Sequence, residues 1–199
     1  MANISEFKAQ MIGGGARPNQ FRVALAFPSY VTLGAVAGAQ AQFLCKAAQL
    51  PASTIDPMPI QYRGRAVQFA GERTFLPWTI SVYNDTNFNI RNAMETWQTG
   101  IQNHGSTDGR VNPRDYQVDL QVFQLDRGGA IVKSYKFVDA FPTNIGPVAL
   151  DYDSVNTIEM FDVEFAYNYF ETNSTDGKQG IIDINVSIDT PIGTFPLPI

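Results

Sequence analysis

Catalysis near neutral pH usually starts from a histidine, a thiolate or a pair of carboxylates held close together. The 199-residue chain has one histidine, His104, and one cysteine, Cys45. A metal site needs clustered His, Cys or carboxylate ligands, and this set does not supply them. A Ser-His-Asp or Cys-His centre would have to be built on His104. That residue follows an expected helix end beside Gly105, the ordinary setting of a solvated C-terminal histidine. Cys45 reads as a small buried apolar thiol. Gly64 to Gly71 has the look of a phosphate loop, but Glu72-Arg73 follows where Lys and Ser/Thr belong. The flanking sequence is strand-like, so no helix N-terminus would meet a phosphate. Asp162 and Glu164 fit a glycosidase pair in type, yet residues two apart on a strand simply share its polar face. Asn173-Ser-Thr and Asn185-Val-Ser match the glycosylation acceptor pattern, which has meaning only in a secreted chain. The reading is therefore non-enzymatic, with no catalytic, cofactor-binding or metal-binding residues.

Nineteen acidic and fourteen basic residues give a formal charge of -5 and a pI near 4.8. A protein that grips the phosphate backbone needs a basic face, so this balance opposes nucleic-acid binding while permitting a surface that repels DNA. The aromatic content, fourteen Phe and eight Tyr with only 17% charged residues, suits a β-rich domain. Neither a signal peptide nor an apolar run of ~18 residues is seen, so no membrane insertion is expected and the chain is expected to stay in a cytoplasm or in something assembled there.

Positioning elements follow from the pattern. Residues 1–19 read as an N-terminal arm with a glycine hinge at Gly13–Gly15. "QFRVALAF" (Gln20–Phe27) is an expected strand, Thr32–Gln40 an expected loop, and Gln42–Ala48 a second strand. Three prolines, Pro51, Pro57 and Pro59, make Leu50–Pro59 an extended loop. Across Arg63-Gly64-Arg65 the apolar phase switches between Ile60/Tyr62 and Val67/Phe69, which marks a tight turn or bulge. Gly71-Glu72-Arg73 is expected to turn into a strand that places Leu76, Trp78, Ile80 and Val82 on one face. Ile90, Met94, Trp97 and Ile101 form one helical stripe, giving a helix over 86–103 with Asp85 or Thr86 as its cap. Tyr116, Val118, Leu120 and Val122 alternate with polar residues, and Asp126-Arg127-Gly128-Gly129 reads as a hairpin turn. Phe161, Val163, Phe165, Tyr167 and Tyr169 share the inward face of a later strand. Residues 171–199 read as a linker and C-terminal extension with one strand over 181–189. The sum is a mainly β protein, an antiparallel sandwich or barrel over 20–170 with one flanking α-helix.

In order along the chain, "PNQFRVALAFP", "FLCKAAQLPASTI", "YRGRAVQFAGERTFLPWTISVYND" and "FNIRNAMETWQTGIQNH" resemble the tail tube proteins of contractile-tailed bacteriophages. The resemblance runs from about Asn19 to about Tyr169, and the C-terminal extension departs from it. It implies the tail-tube fold, hexameric rings stacked helically into a rigid hollow tube inside a contractile sheath, and a lumen that passes DNA into the host. It also implies a baseplate hub and a tail terminator at the ends, a tape-measure protein and DNA in the lumen, assembly in the host cytoplasm and residence in the virion. The tubes of tailocins and type VI secretion systems are similar, so a secretion tube is the alternative, and a monomeric β-sandwich binding module a further one.

The residues give this picture an independent footing. Open sheet edges aggregate unless they are joined, and a ring of copies joins them. An acidic lumen repels phosphate, and the polar faces carrying Asp119, Gln121, Asp162 and Glu164 are the expected lining. Pro51, Pro57 and Pro59 stiffen a loop suited to ring-to-ring contact. Arg63, Arg65, Glu72 and Arg73 are expected to pair with carboxylates or bases of neighbouring copies.

Overall fold

A computed structural model describes residues 3–11 and 14–173; the expected strand over 181–189 lies outside them. The elements are α1 (Ile4–Gln10), β1 (Phe21–Ala24), α2 (Gly34–Leu44), β2 (Cys45–Ala48), β3 (Ser53–Tyr62), β4 (Arg65–Phe75), β5 (Trp78–Tyr83), α3 (Asn89–Ile101), β6 (Val118–Leu125), β7 (Ile131–Ile145), β8 (Met160–Ala166) and β9 (Tyr169–Thr172). All strand pairings are antiparallel. One sheet runs β1-β6-β7-β8-β5-β2 with β9 beside β7, and β3-β4 form a separate ribbon.

The large sheet is folded over on itself. Trp78 pairs with Phe165, and Phe165 with Pro142, so one strand, and therefore two inter-strand spacings, separate Trp78 from β7. Phe137 lies five residues back along that strand. A flat sheet would hold Trp78 and Phe137 roughly 19 Å apart, at ~4.8 Å per strand and ~3.3 Å per residue. Instead their rings stack with centroids 4.2 Å apart. The long strand β7 therefore bends and serves two leaves: β1-β6-β7-β9 on one side, and β2-β5-β8 with the end of β7 on the other. The bend lies at Asp139, whose φ of 56° a short polar side chain tolerates. Asn168 Nδ2 donates to the Asp139 carboxylate at 2.9 Å, and Asn168 N to the Val138 carbonyl, which fastens the corner where β8 gives way to β9.

Between the leaves lies one core: Val23, Leu120, Val122 and Phe137 from one side, Trp78, Ile80, Val82, Phe161, Val163 and Phe165 from the other. α3 closes it with Ile90, Ala93, Met94 and Trp97. Trp97 Nε1 donates to the Tyr116 carbonyl at 2.8 Å, and the Tyr30 hydroxyl donates to the Trp97 carbonyl at 2.9 Å, so the polar atoms of these two side chains are satisfied. Asp85 does cap α3, but from outside it, accepting from Asn89 N at 2.9 Å while Phe88 holds the left-handed N-cap position.

Four sequence expectations change. Thr32–Gln40 is not a loop: α2 begins at Gly34, and the following strand shrinks to Cys45–Ala48. The glycines of this helix serve packing, since a Cβ on Gly34 would lie 2.6 Å from Phe27 and one on Gly38 2.7 Å from the Leu25 carbonyl. Alanine supplies the helix propensity that remains. Second, Leu50–Pro59 is extended but not a loop, because Ser53 onward pairs with β4. Third, Gly71-Glu72-Arg73 does not turn; it lies inside β4 at a bulge, and Leu76 is exposed. Fourth, the break after Ala166 resets the phase, so Phe170 rather than Tyr169 packs on the core.

Candidate assembly surfaces

Arg63 and Gly64 join β3 to β4 with φ of 49° and 81°, the left-handed pair that a two-residue hairpin turn requires. Tyr62 faces Arg65, Ile60 faces Val67, and Met58 faces Phe69. These six residues occupy one face, because alternate residues and their direct cross-strand partners share a face. Every residue of β3 and all of β4 except Phe75 is exposed, and Phe69 and Tyr62 expose 50% and 61% of their surface. A lone two-stranded ribbon is marginal in water, and an uncovered apolar ladder of this kind marks a contact surface. Pro57 and Pro59 fall at alternate positions, yet pairing to β4 continues through both. The donors they remove therefore lie on the outer edge of the ribbon, where proline discourages stray strand addition.

Arg63 is at the tip over the Tyr62 ring, 5.4 Å from its centroid, with Arg65 beside it. Glu72 is exposed farther down at the bulge opposite Asp56, the exposed Arg73 faces Ile55 next to it, and Pro51 is half-buried at the root. Trp78 Nε1 donates to the Gln49 carbonyl at 2.7 Å, which ties the residue leaving the ribbon to the one approaching it.

The expected lining residues divide between the leaves. Asp119 and Gln121 are on the outward face of β6, Asp162 and Glu164 on that of β8, and the two faces point away from the shared core in different directions. Asp119 is neutralised by Lys136 at 2.7 Å. The hydrogen bond to Asp119 raises the Lys136 pKa, with further help from Glu171. Asp162 accepts from Ser81 Oγ, and neither it nor Glu164 meets a cation in the ion pairs found among the described residues. The β8 face thus carries two carboxylates without a direct ion pair, with Lys46 as the nearby cation, lining a cleft with Ser81 and Asp162.

That second leaf also has two open edges. Among the described residues β2 pairs only with β5. β6 occupies one side of β7 as far as Ala140, and no strand among the described residues pairs on that side from Phe141 to Ile145. A pair of open edges on one leaf is an arrangement that neighbouring copies can extend. Sequence reasoning missed both edges, because pairing partners are invisible in a single strand's alternation.

No group of three or more His, Cys, Asp or Glu that could hold a metal occurs among the described residues. His104 is exposed, and burial pushes the Cys45 thiol up to about 12, the reverse of an activated nucleophile.

The phage tail tube protein model matches residues 16–173. The chain belongs to that family. The tail tube protein gp19 of Enterobacteria phage T4 is 34% identical over 160 residues, covering 80% of this chain and 93% of the relative. Among solved structures, the anti-feeding prophage tube terminating cap superposes with a TM-score of 0.59 at 18% identity, over 79% of this chain and 90% of that one. The sheath-tube complex of an extracellular contractile injection system gives 0.51 at 12% identity, over 86% and 98%. The last two show a shared fold. As a tail tube protein the chain is a structural component of a virion rather than an enzyme.

Proposed function

We propose that six copies of this tail tube protein close into a ring by joining the β2 edge of one copy to the free Phe141–Ile145 edge of the next, and that rings stack into a hollow tube inside a contractile sheath. The observation that carries the reading is the second leaf, with both edges open and an unpaired acidic face. Closing that leaf around a channel satisfies its orphan backbone groups. It also turns either the Asp162/Glu164 face or the core side toward the lumen, and the core side is already filled. Asp162 and Glu164 therefore line the channel, where negative charge keeps DNA sliding toward the host cell. Asp119 and Gln121, on the opposite leaf, face the sheath.

Tape-measure protein and DNA occupy the lumen in turn, and a baseplate and a terminator close the ends. A tube that delivers protein would share this fold, as the injection-system structures do; the 34% identity to a phage tail tube protein favours a phage tail. Negative-stain microscopy of the purified chain, with sedimentation in parallel, tests assembly. Hollow tubes or rings are expected, and a monomer that persists at high concentration refutes the proposal.

A further inference from the structure

β9 borders the first leaf: β7 lies on one side of it, and no strand among the described residues lies on the other. The ladder shows which backbone groups face that open side. Asn173 N donates to the Ser134 carbonyl, and this pair continues the register in which Thr172 faces Tyr135 and Phe170 faces Phe137. Bonded positions alternate along an antiparallel pair, so Glu171 and Tyr169 turn their amides to β7. Phe170 turns its N–H and C=O the other way. An edge of this kind is a template for one more strand.

Under that edge the core is thinly covered. Phe170 meets Phe75 and Tyr135 edge to face, with ring centroids 5.6 and 5.8 Å apart, and Phe75 meets Tyr167 at 6.0 Å. All four rings are only partly buried, and Leu76, next after Phe75, is 54% exposed. The Tyr167 hydroxyl is buried with no hydrogen-bond partner among the described residues. The chain beyond Asn173 carries a pattern that fits this edge. Ile182, Ile184, Val186 and Ile188 alternate with Asp183, Asn185 and Ser187, as in a strand with one face to bury. Residues 174–180, which connect it to β9, hold Asp-Gly and a second glycine, the residues that turns favour. The tail tube family model stops at residue 173, so this run is additional to the part of the chain that the family describes.

We infer that residues 181–188 add to the open edge of β9 in the same copy, as an antiparallel strand. Seven residues, 174–180, make the return, so loop closure costs little, and sequential strands usually pair. Direct cross-strand partners share a face. The isoleucines and Val186 therefore join Phe170 on the core side and cover the Phe75, Tyr135 and Tyr167 rings, while Asp183, Asn185 and Ser187 fall on the outward side with Glu171 and Tyr169. The added strand satisfies the Phe170 amide and carbonyl and shields this edge of the first leaf from strand addition by other chains. Both partners belong to one chain, so the pairing does not depend on the tube reading.

The test is nuclear magnetic resonance of the full chain in dilute solution. Overhauser contacts from the Ile184 and Val186 methyls to the Phe75, Tyr167 or Phe170 rings are expected in the unmodified protein. Ile184→Asp with Val186→Asp removes the apolar face and is expected to accelerate exchange of the Phe170 amide about tenfold or more. Ser187→Lys, on the outward side, is expected to leave that rate within about threefold. Near-ultraviolet dichroism of the buried tryptophans checks that each variant is folded. If the methyl contacts are missing, if the Phe170 amide exchanges alike with and without the aspartates, or if Ser187→Lys acts as strongly as they do, the pairing is refuted. Contacts found only between differently labelled copies place the strand on a second chain and refute it equally.

Discussion

Replacing Gly71 with Ala separates the ribbon's integrity from that of the core. Between the pairs Ile55–Arg73 and Pro57–Ala70, β4 carries one residue more than β3, so Glu72 and Gly71 together oppose Asp56. A Cβ on Gly71 would overlap the Asp56 carbonyl oxygen, a backbone atom that cannot rotate away. Relief requires opening the bulge, at about 1–3 kcal/mol by the usual scale of overpacking. The ribbon is a marginal two-stranded unit to begin with, so one or two kcal/mol shifts its open population by about 5–30-fold. A register slip of one residue would also send Met58, Ile60 and Phe69 to the opposite face. None of this reaches the core, because almost the whole ribbon is exposed. Amide hydrogen exchange over 57–70 should accelerate by about 5–30-fold, while the melting transition of the body around Trp78 and Trp97 stays within about 2 °C, and tube formation should fail. Unchanged exchange in the ribbon, or a core that melts in step with it, would refute the reasoning.

Other perturbations separate the remaining claims. Trp78→Phe keeps the stack on Phe137 but leaves the Gln49 carbonyl without its donor; a loss of about 1–3 kcal/mol in a urea titration is expected. Burial pushes Tyr30 from 10.0 up to about 12, against a smaller opposing effect of Arg110. The fold thus favours the neutral phenol, whose contribution is complete below pH 10 and lost as pH rises through about 12; stability should fall across that window, and less steeply in Tyr30→Phe. The Cys45 thiol, held near 12 chiefly by desolvation, should resist alkylation at pH 8 until the protein is unfolded. Asp162→Lys with Glu164→Lys should leave tubes intact but make them retain DNA in a salt-dependent manner, whereas Asp119→Lys should not.

The strands of the core were legible because each buries one face: Trp78, Ile80 and Val82, then Leu120 and Val122, then Phe161, Val163 and Phe165 alternate as a half-buried strand must. The α3 stripe and the Arg63-Gly64 turn were legible for the same local reasons. α2 was not, because its charge-free run of alanine and glycine carries no period, and its glycines answer to Phe27 and the Leu25 carbonyl, which are distant in pattern. Pairing hid the ribbon as well: three prolines suggest a loop, and only the partner strand shows that Pro57 and Pro59 leave the ladder intact. The candidate assembly surfaces were partly visible as residue types, in Arg63, Arg65 and the acidic strand faces. Their division between two leaves depended on the bend at Asp139, which no local pattern announces. The 147–159 segment between β7 and β8 went unread because its exposed Leu150, Tyr152 and Ile158 resemble core residues until the fold leaves them outside.

A helical reconstruction of the assembled tube at side-chain detail tests the central claim most directly. The account predicts six copies per ring, β2 of each copy running beside Phe141–Ile145 of the next, and Asp162 and Glu164 facing the channel. A ring joined through other edges, or a channel lined by the Asp119 and Lys136 face, would contradict it.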